Sequence, residues 1–343
     1  MGAKEKCCII DLANLKKGED VRFRGFGLLL LLGVTQCCVP DRREDAPPPR
    51  AENPGSAVVR TKAIKGTDNV KIGSLGEKIE KDTQGNTIRI KSSDGKILYA
   101  KDYEPGVLSD HAPLLAEVGG QKVMTWNIMK QGRHSSHSNW MFGGKDYVPP
   151  GGAGKTFEEQ ADYLRRIGSQ AEYIKSTMGS SQTKVAFLQE GPTNAQALKK
   201  LTDFLEPEYK VFPNGETIVV MESSIASKHY NRVPPLQTPK SLNGRVNVQG
   251  TTGSELYVSF HINGGGQSAQ NIQDCLNYLT QLKSLNPGKT IITGGDFNYS
   301  ITAMERNNKA AFPNFEFHTH SGTSNSNGYG THSAPIDGFV VVR

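Results

Sequence analysis

Three runs of the chain are apolar without alternation, and each stops at a polar group: Val123 to Asn127 (VMTWN), Val185 to Glu190 (VAFLQE) and Thr290 to Asn298 (TIITGGDFN). Half-exposed strands alternate apolar and polar positions, so uninterrupted runs of this length predict strands covered on both faces. Helical patterns separate them. Thr156 to Glu159 reads as a capping box that opens FEEQADYLRRIGSQAEYIKSTMG; NAQALKKLTDFL follows the second strand; SAQNIQDCLNYLTQLKSLNPG precedes the third and stops at Pro287-Gly288. This alternation predicts an α/β protein, in which functional groups gather beyond the carboxyl ends of strands. Asn127, Glu190, Asp296 and Asn298 all stand at such ends.

Ahead of the first run, residues 107–118 read VLSDHAPLLAEV and lead through Gly119-Gly120 into QKVMTWNI. Two glycines between strand-like runs predict a two-residue hairpin with Val118 opposite Gln121. Counting outward sets Ala112 opposite Asn127 and puts Asp110 on the face of Asn127, one pair away. His111 starts the strand and can turn into the same cleft. SAPIDGFVVVR closes the chain as another strand with Asp337 at its start, and NTIRIKSSDGKILYAK predicts a hairpin around Ser93-Asp94-Gly95. Residues 55–85 carry no clear pattern.

Composition narrows the class. Of 343 residues 36% are hydrophobic, enough for a core, and the mean hydropathy of −0.48 excludes a polytopic membrane protein. From Gly55 to Arg343 there is no linker, repeat or long charge run, so residues 55–343 read as one domain, expected to be a monomer. Residues 1–54 differ. Basic residues from Arg22, an apolar stretch through Leu28–Leu32 and Cys37 at its end resemble a bacterial lipoprotein signal, too short for the roughly 20 apolar residues that span a bilayer. DRREDAPPPRAENP then makes a Pro-rich tether. The leader predicts export from a bacterial cytoplasm, with the protein secreted, periplasmic or lipid-anchored, and membrane contact only through that anchor. Outside the leader Cys275 is the single cysteine, so no disulfide staples the domain. The net charge is +6; the leader holds nine Lys/Arg and eight Asp/Glu, which leaves +5 on the body, compatible with nucleic acid or phospholipid as an anionic partner.

Carboxylates and amides at strand ends, with histidines nearby, suit hydrolysis of a phosphoester. That reaction needs a cation to neutralise phosphate oxygens, an activated water and a group that stabilises the leaving oxygen. Hard cations such as Mg2+ take one or two carboxylates plus water and substrate oxygens. Glu190 is a candidate ligand, Asp296 and Asn298 face one way on an extended segment, and His111 and His261 are candidate acid/base groups.

Six motifs, TWNI, FLQE, SFHIN, GGDFN, PIDGFVV and SDHAP, resemble those of the endonuclease/exonuclease/phosphatase (deoxyribonuclease I-like) superfamily over residues 85–343. The resemblance implies a four-layered α/β sandwich with two central mixed β-sheets flanked by helices, and a Mg2+-dependent phosphodiesterase, with Mn2+ as the alternative ion. It implies Glu190, Asn127 and Asp110 at the metal, Asp296 on the attacking water and Asn298 on the phosphate; Lys130 and Arg133, just past Asn127, are expected by their position to touch that phosphate. His111, oriented by Asp337, and His261, supported by Glu216, would assist proton transfer. In the family the SDH motif closes the chain after the Asp strand, whereas here SDHAP comes first and PIDGFVVVR last. The sequence therefore looks circularly permuted, and Arg343 is expected beside Ile97–Lys101. The basic body and FHINGGGQSAQNIQDCLNYL, similar to a segment of the family's toxin nucleases, favour DNA endonuclease activity. The alternatives are a phospholipid-directed hydrolase (sphingomyelinase or phosphoinositide phosphatase) and a catalytically silent binding protein on the same fold.

Other patterns count for less. Gly151 to Thr156 imitates a phosphate loop, but Pro149 stands where its first glycine belongs. His318, His320 and His332 with Asp337 have a zinc-like spacing, yet a polar rim beside the cleft is the preferred reading. His134 and His137 read as solvated loop residues.

Overall fold

A computed structural model describes residues 69–72, 76–83, 87–100, 106–131, 158–226, 236, 238–251, 253–263, 268–320 and 335–343. The leader, the tether, the Gly151 to Thr156 loop, Arg133, His134, His137 and His332 lie outside them. Among the described residues no helix is long and apolar enough to cross a membrane.

Six strands open the chain: β1 (Val70–Ile72), β2 (Lys78–Lys81), β3 (Thr87–Lys91), β4 (Ile97–Ala100), β5 (Leu114–Val118) and β6 (Gln121–Asn127). Helix α1 (Gln160–Ser181), β7 (Val185–Gln189), α2 (Ala195–Leu205), β8 (Tyr209–Asn214) and β9 (Thr217–Glu222) follow. The rest comprises β10 (Val246–Gly250), β11 (Glu255–His261), α3 (Ser268–Leu285), β12 (Thr290–Asp296), α4 (Ile301–Asn308), β13 (Phe315–His318) and β14 (Asp337–Val342).

Two mixed sheets, ordered β1-β5-β6-β7-β9-β8 and β10-β11-β12-β14-β13, make the centre, and β2-β3-β4 form a small antiparallel sheet. The uninterrupted apolar runs are explained by cover on both faces. Val123, Val185, Phe187 and Val219 of the first sheet meet Tyr257, Ile292, Phe339 and Val341 of the second in a shared core. The alternate positions Met124, Trp126, Ala186 and Leu188 pack outward on Ile167, Ile174 and Leu201 of α1 and α2. On the other side Val258, Phe260, Ile291 and Val340 pack on Ile272, Leu276, Leu279 and Met304 of α3 and α4. Helices, sheet, sheet and helices make the four layers expected from the sequence. The sheets approach closely at Gly294, where a Cβ would stand 2.2 Å from Phe187 Cδ2.

The hairpin forms in the expected register: Val118 pairs with Gln121 and Leu114 with Thr125. Gly119 and Gly120 have φ of 58° and 77°, the two left-handed residues that a tight turn matching sheet twist requires. The hairpin around Ser93-Asp94-Gly95 also forms, as β3 and β4. Two expectations are corrected. Helix α1 starts at Gln160 with Glu159 as its N-cap and no side-chain cap bond, later than the capping box implied; Thr156 lies outside the described residues. Glu158 turns inward instead, onto the guanidinium of Arg166. Arg343 does not end beside Ile97: its N–H bonds Asn314 O and its guanidinium bonds Glu316, at the β13 edge of the second sheet, whereas β4 belongs to the small sheet.

Candidate active site

The site is built where both sheets end. β6 runs parallel to β7 and delivers Asn127 opposite Gln189, with Glu190 next; β11 runs parallel to β12 and sets His261 beside Asp296. β14 is antiparallel to β12 and places Asp337 on the other side of Asp296. Strand register alone thus lines up His261, Asp296 and Asp337. A buried polar bridge ties this row to the first sheet: Thr125 Oγ1 donates to Gln189 Oε1 at 3.3 Å, Gln189 Nε2 to Ser259 Oγ at 3.2 Å, and Ser259 Oγ to Leu188 O at 3.2 Å. Buried polar groups need partners, and here the partners lie across the two sheets.

The SDH segment is pinned by backbone contacts. Ser109 Oγ donates to Asn127 O at 2.6 Å and accepts the His111 N–H at 3.1 Å, and Trp126 Nε1 donates to His111 O at 2.8 Å. The imidazole of His111 then reaches the second sheet. Its Nδ1 lies 3.1 and 3.0 Å from the two oxygens of Asp337, and its Nε2 lies 3.8 Å from Asp296 Oδ2. From the opposite side His261 Nδ1 lies 2.9 Å from Glu216 Oε1, and its Nε2 lies 3.7 Å from Glu190 Oε1 and 3.8 Å from Asp296 Oδ2. Asn127 Nδ2 donates to that same Asp296 oxygen at 3.1 Å. The other oxygen accepts the Asn298 N–H at 2.9 Å, while Asn298 Nδ2 donates to Ile262 O at 2.9 Å. Met129, Glu190 and Asn298 have φ of 55°, 51° and 47°, left-handed conformations that favour glycine. Such strain clusters at functional sites.

Burial and charge shape the titration. Burial opposes a charge on His111, but the carboxylates of Asp337 and Asp296 outweigh it and hold its pKa well above the usual histidine range. For His261 burial is likewise outweighed, by the hydrogen bond to Glu216 and the charges of Asp296 and Glu190, so its pKa is raised. Burial also opposes ionisation of Glu190 and Glu216, yet His261 and nearby cations, Lys130 among them, keep both below the usual range. Asp296 is raised by burial and by Asp337, against the pull of His111 and His261. Asp110 is pushed up to about 6 by burial, relieved by His111 and aggravated by Glu190 and Asp296.

Among the described residues His111, Asp296 and Asp337 are the one acid/histidine group whose ligand-type atoms lie within 4.8 Å of one another. A charged imidazole has no lone pair to offer a cation, so this trio suits proton handling better than metal binding. Asp110 and Glu190 fit a hard cation better. Both are carboxylates in a crowded acidic site, where burial foremost, and then the charges of Glu190 and Asp296, oppose ionisation of Asp110, a cost that a divalent ion would relieve. Asn127 is engaged on both sides, its Nδ2 with Asp296 and its Oδ1 with the Met129 N–H at 3.0 Å.

Asp110, His111, Asn127, Glu190, His261, Asp296, Asn298, Asp337 and Glu216 therefore converge. The Lys130 N–H bonds Glu190 Oε2 at 3.3 Å, and the residue is exposed at the mouth. His318 and His320 are buried, not on a polar rim. Arg245 is a residue that the sequence reading missed: its Nη1 lies 2.7 Å from Glu216 Oε1. A lone arginine after a glycine carries no signal; only the β10–β11 pairing brings it to His261.

Fold and site together define a four-layered α/β sandwich with an acid, amide and histidine cluster at the ends of its two central sheets. No protein-family model and no curated protein matches the chain. Solved structures similar to it include D. rerio TDP2 complexed with single-strand DNA product, at 14% identity and TM-score 0.37, covering 51% of this chain and 77% of that one. A mannosyl-6-phosphatase of Bacteroides thetaiotaomicron matches at 15% identity and TM-score 0.39, covering 64% and 84%. A beta toxin of Staphylococcus aureus matches at 14% and 0.37, covering 52% and 78%. At these identities and scores the likenesses carry nothing about activity.

Proposed function

We propose that the chain is a divalent-cation-dependent phosphodiesterase of the endonuclease/exonuclease/phosphatase family, in circularly permuted order, acting as an endonuclease on DNA. One observation carries the reading: two histidine–acid pairs, one on each side, direct their Nε2 atoms at the same Asp296 oxygen, each at 3.8 Å. The permuted order is supported by the His111–Asp337 contact, which joins the SDH segment to the terminal strand across 226 positions while the two-glycine turn leads β5 into β6. Export through the leader belongs to the same proposal.

Asp110 and Glu190 would hold a Mg2+ or Mn2+ ion, which supplies charge neutralisation for a phosphate oxygen. Asp296, made more basic by burial, takes a proton from the attacking water as its oxygen bonds to phosphorus. Asn298, with one amide N–H beyond its bond to Ile262 O, donates to a phosphate oxygen. The bond from phosphorus to the leaving oxygen breaks, and that oxygen takes a proton from the His261 imidazolium. His111, held charged by Asp337, stays on the phosphate. Lys130 and Arg133 would meet flanking phosphates, and the +5 body charge favours a polyanion.

The test is the purified chain on supercoiled plasmid, sphingomyelin and phosphoinositides, with Mg2+ and with chelator. Cation-dependent nicking is expected. Lipid turnover without nicking would overturn the choice of DNA, and plasmid binding without turnover would favour a silent binding protein.

A further inference from the structure

Glu158 and Arg166 form a buried ion pair that no step above uses. We infer that Arg166, helped by Gln170, is a positioning residue through which helix α1 clamps the two loops that carry the site. The guanidinium grips both Glu158 oxygens, Nε to Oε1 and Nη2 to Oε2, each at 2.8 Å. Its other donors go to main-chain carbonyls: Nη1 to Ile128 O at 3.0 Å, Met129 O at 2.9 Å and Leu108 O at 3.3 Å, and Nη2 to Lys130 O at 3.1 Å. Gln170, one turn along α1, adds Nε2 bonds of 2.7 Å to both Leu108 O and Ile128 O.

The addresses of these carbonyls matter. Leu108 immediately precedes Ser109-Asp110-His111, and residues 128–130 carry the chain from Asn127 to the N–H that holds Glu190. Both segments lie outside the strands β5 and β6, and Ser109 makes only an isolated parallel bridge to Tyr99 of β4, so the fork and the amide take carbonyls that the β5–β6 ladder leaves open. Met129 also has the left-handed φ of 55°, a conformation that persists where its surroundings over-determine it. One planar fork and one amide thus tie together the two chain segments flanking the β5–β6 hairpin. Lysine could not replace the fork, because its single ammonium cannot span a carboxylate and four carbonyls. Glu158 supplies the countercharge that lets the guanidinium stay buried.

The inference rests on the phosphodiesterase reading only for its kinetic arm. Hydrogen exchange followed by mass spectrometry, with plasmid nicking in parallel, is measured on the full chain as wild type, Arg166→Lys, Gln170→Leu and the double variant Arg166→Met/Glu158→Leu. Exchange in segments 107–112 and 127–131 should rise by about tenfold in Arg166→Lys and in the double variant, with 291–296 unchanged. Turnover should fall by about 10- to 100-fold with KM within roughly twofold, as expected for misplaced reacting groups. The double variant leaves no buried charge unpaired, so its melting temperature should recover while exchange and turnover should not. Recovery of all three would overturn the inference, as would unchanged exchange in Arg166→Lys. If the double variant does not fold, Gln170→Leu decides, since it deletes two carbonyl bonds and no charge: faster exchange supports the clamp, and wild-type exchange sinks it. A wild-type chain that turns over no phosphodiester would defeat the proposed function while the exchange comparison still judges the clamp.

Discussion

His111 and His261 occupy mirrored places, one reaching from the first sheet to an acid on the second, the other from the second sheet to an acid beside the first. Their settings differ. Asp337 is buried and gives both oxygens to His111, whereas Glu216 is only partly buried and shares its Oε1 with Arg245. His111 holds its proton against both oxygens of Asp337, with the charge of Asp296 on its other side. At His261 the acid is already partly neutralised by a guanidinium, and the imidazole faces Glu190 as well. A proton held by both oxygens of Asp337 leaves less readily than one held by a single oxygen shared with a guanidinium, so in the proposed mechanism His261 delivers the proton and His111 keeps a fixed positive charge.

The largest break in this comparison removes what the pairs share. Asp296→Ala should lower kcat for plasmid nicking by about 10³-fold or more, since it loses both the base and the focus of the two imidazoles. His111→Ala and His261→Ala should each cost about 10²- to 10⁴-fold, but they should part company on a p-nitrophenyl phosphodiester, whose leaving group needs no proton. Activity of the His261 variant should recover most of the way on that substrate and that of the His111 variant should not; the reverse result would exchange their roles. Next come the acids. Asp337→Asn should cost about 10²-fold, because the buried imidazole loses the partner that charges it and sets its tautomer. Glu216→Gln should cost about tenfold or less, because Asp296 and Glu190 still face His261. Equal losses would show that Arg245 does not distinguish the two pairs.

The smallest expected effect is on stability. Asp110 has its pKa raised from an ordinary carboxylate value to about 6. The folded state therefore binds the proton more tightly than the unfolded chain, so no penalty exists below the unfolded value, and ionisation costs stability as pH rises through about 6. A divalent cation should relieve that cost only where Asp110 is ionised. Saturating Mg2+ should thus raise the melting temperature by several degrees at pH 7.5 and by about 1 degree or less at pH 5, read by scanning calorimetry. An equal rise at both pH values would remove Asp110 from the cation site.

Much of the site was legible because strand register is local. Once VMTWN, VAFLQE, TIITGGD and DGFVVV are strands, their polar ends fall in place, and the two glycines set Val118 against Gln121 without outside help. Strands β1, β2, β8, β10 and β13 were not foreseen. YKVFPN breaks alternation at Phe212 and carries a proline, and VNVQG alternates over four residues only; both are fixed as strands by pairing with β9 and β11. Arg166 and Arg245 gave no pattern either, since an arginine's role depends on what a distant segment brings to it.

Taken alone, the amino-acid order determined the layered α/β class, the central strands, the glycine turn and the polar groups at strand ends, because periodicity, turn chemistry and pleat act within a few residues. Tertiary structure decided which acid serves which histidine, the inward turn of Glu158 onto Arg166 and the resting place of Arg343. Those outcomes depend on burial, charge and unsatisfied carbonyls contributed by segments far apart in the chain, and such energies exist only once the sheets have packed.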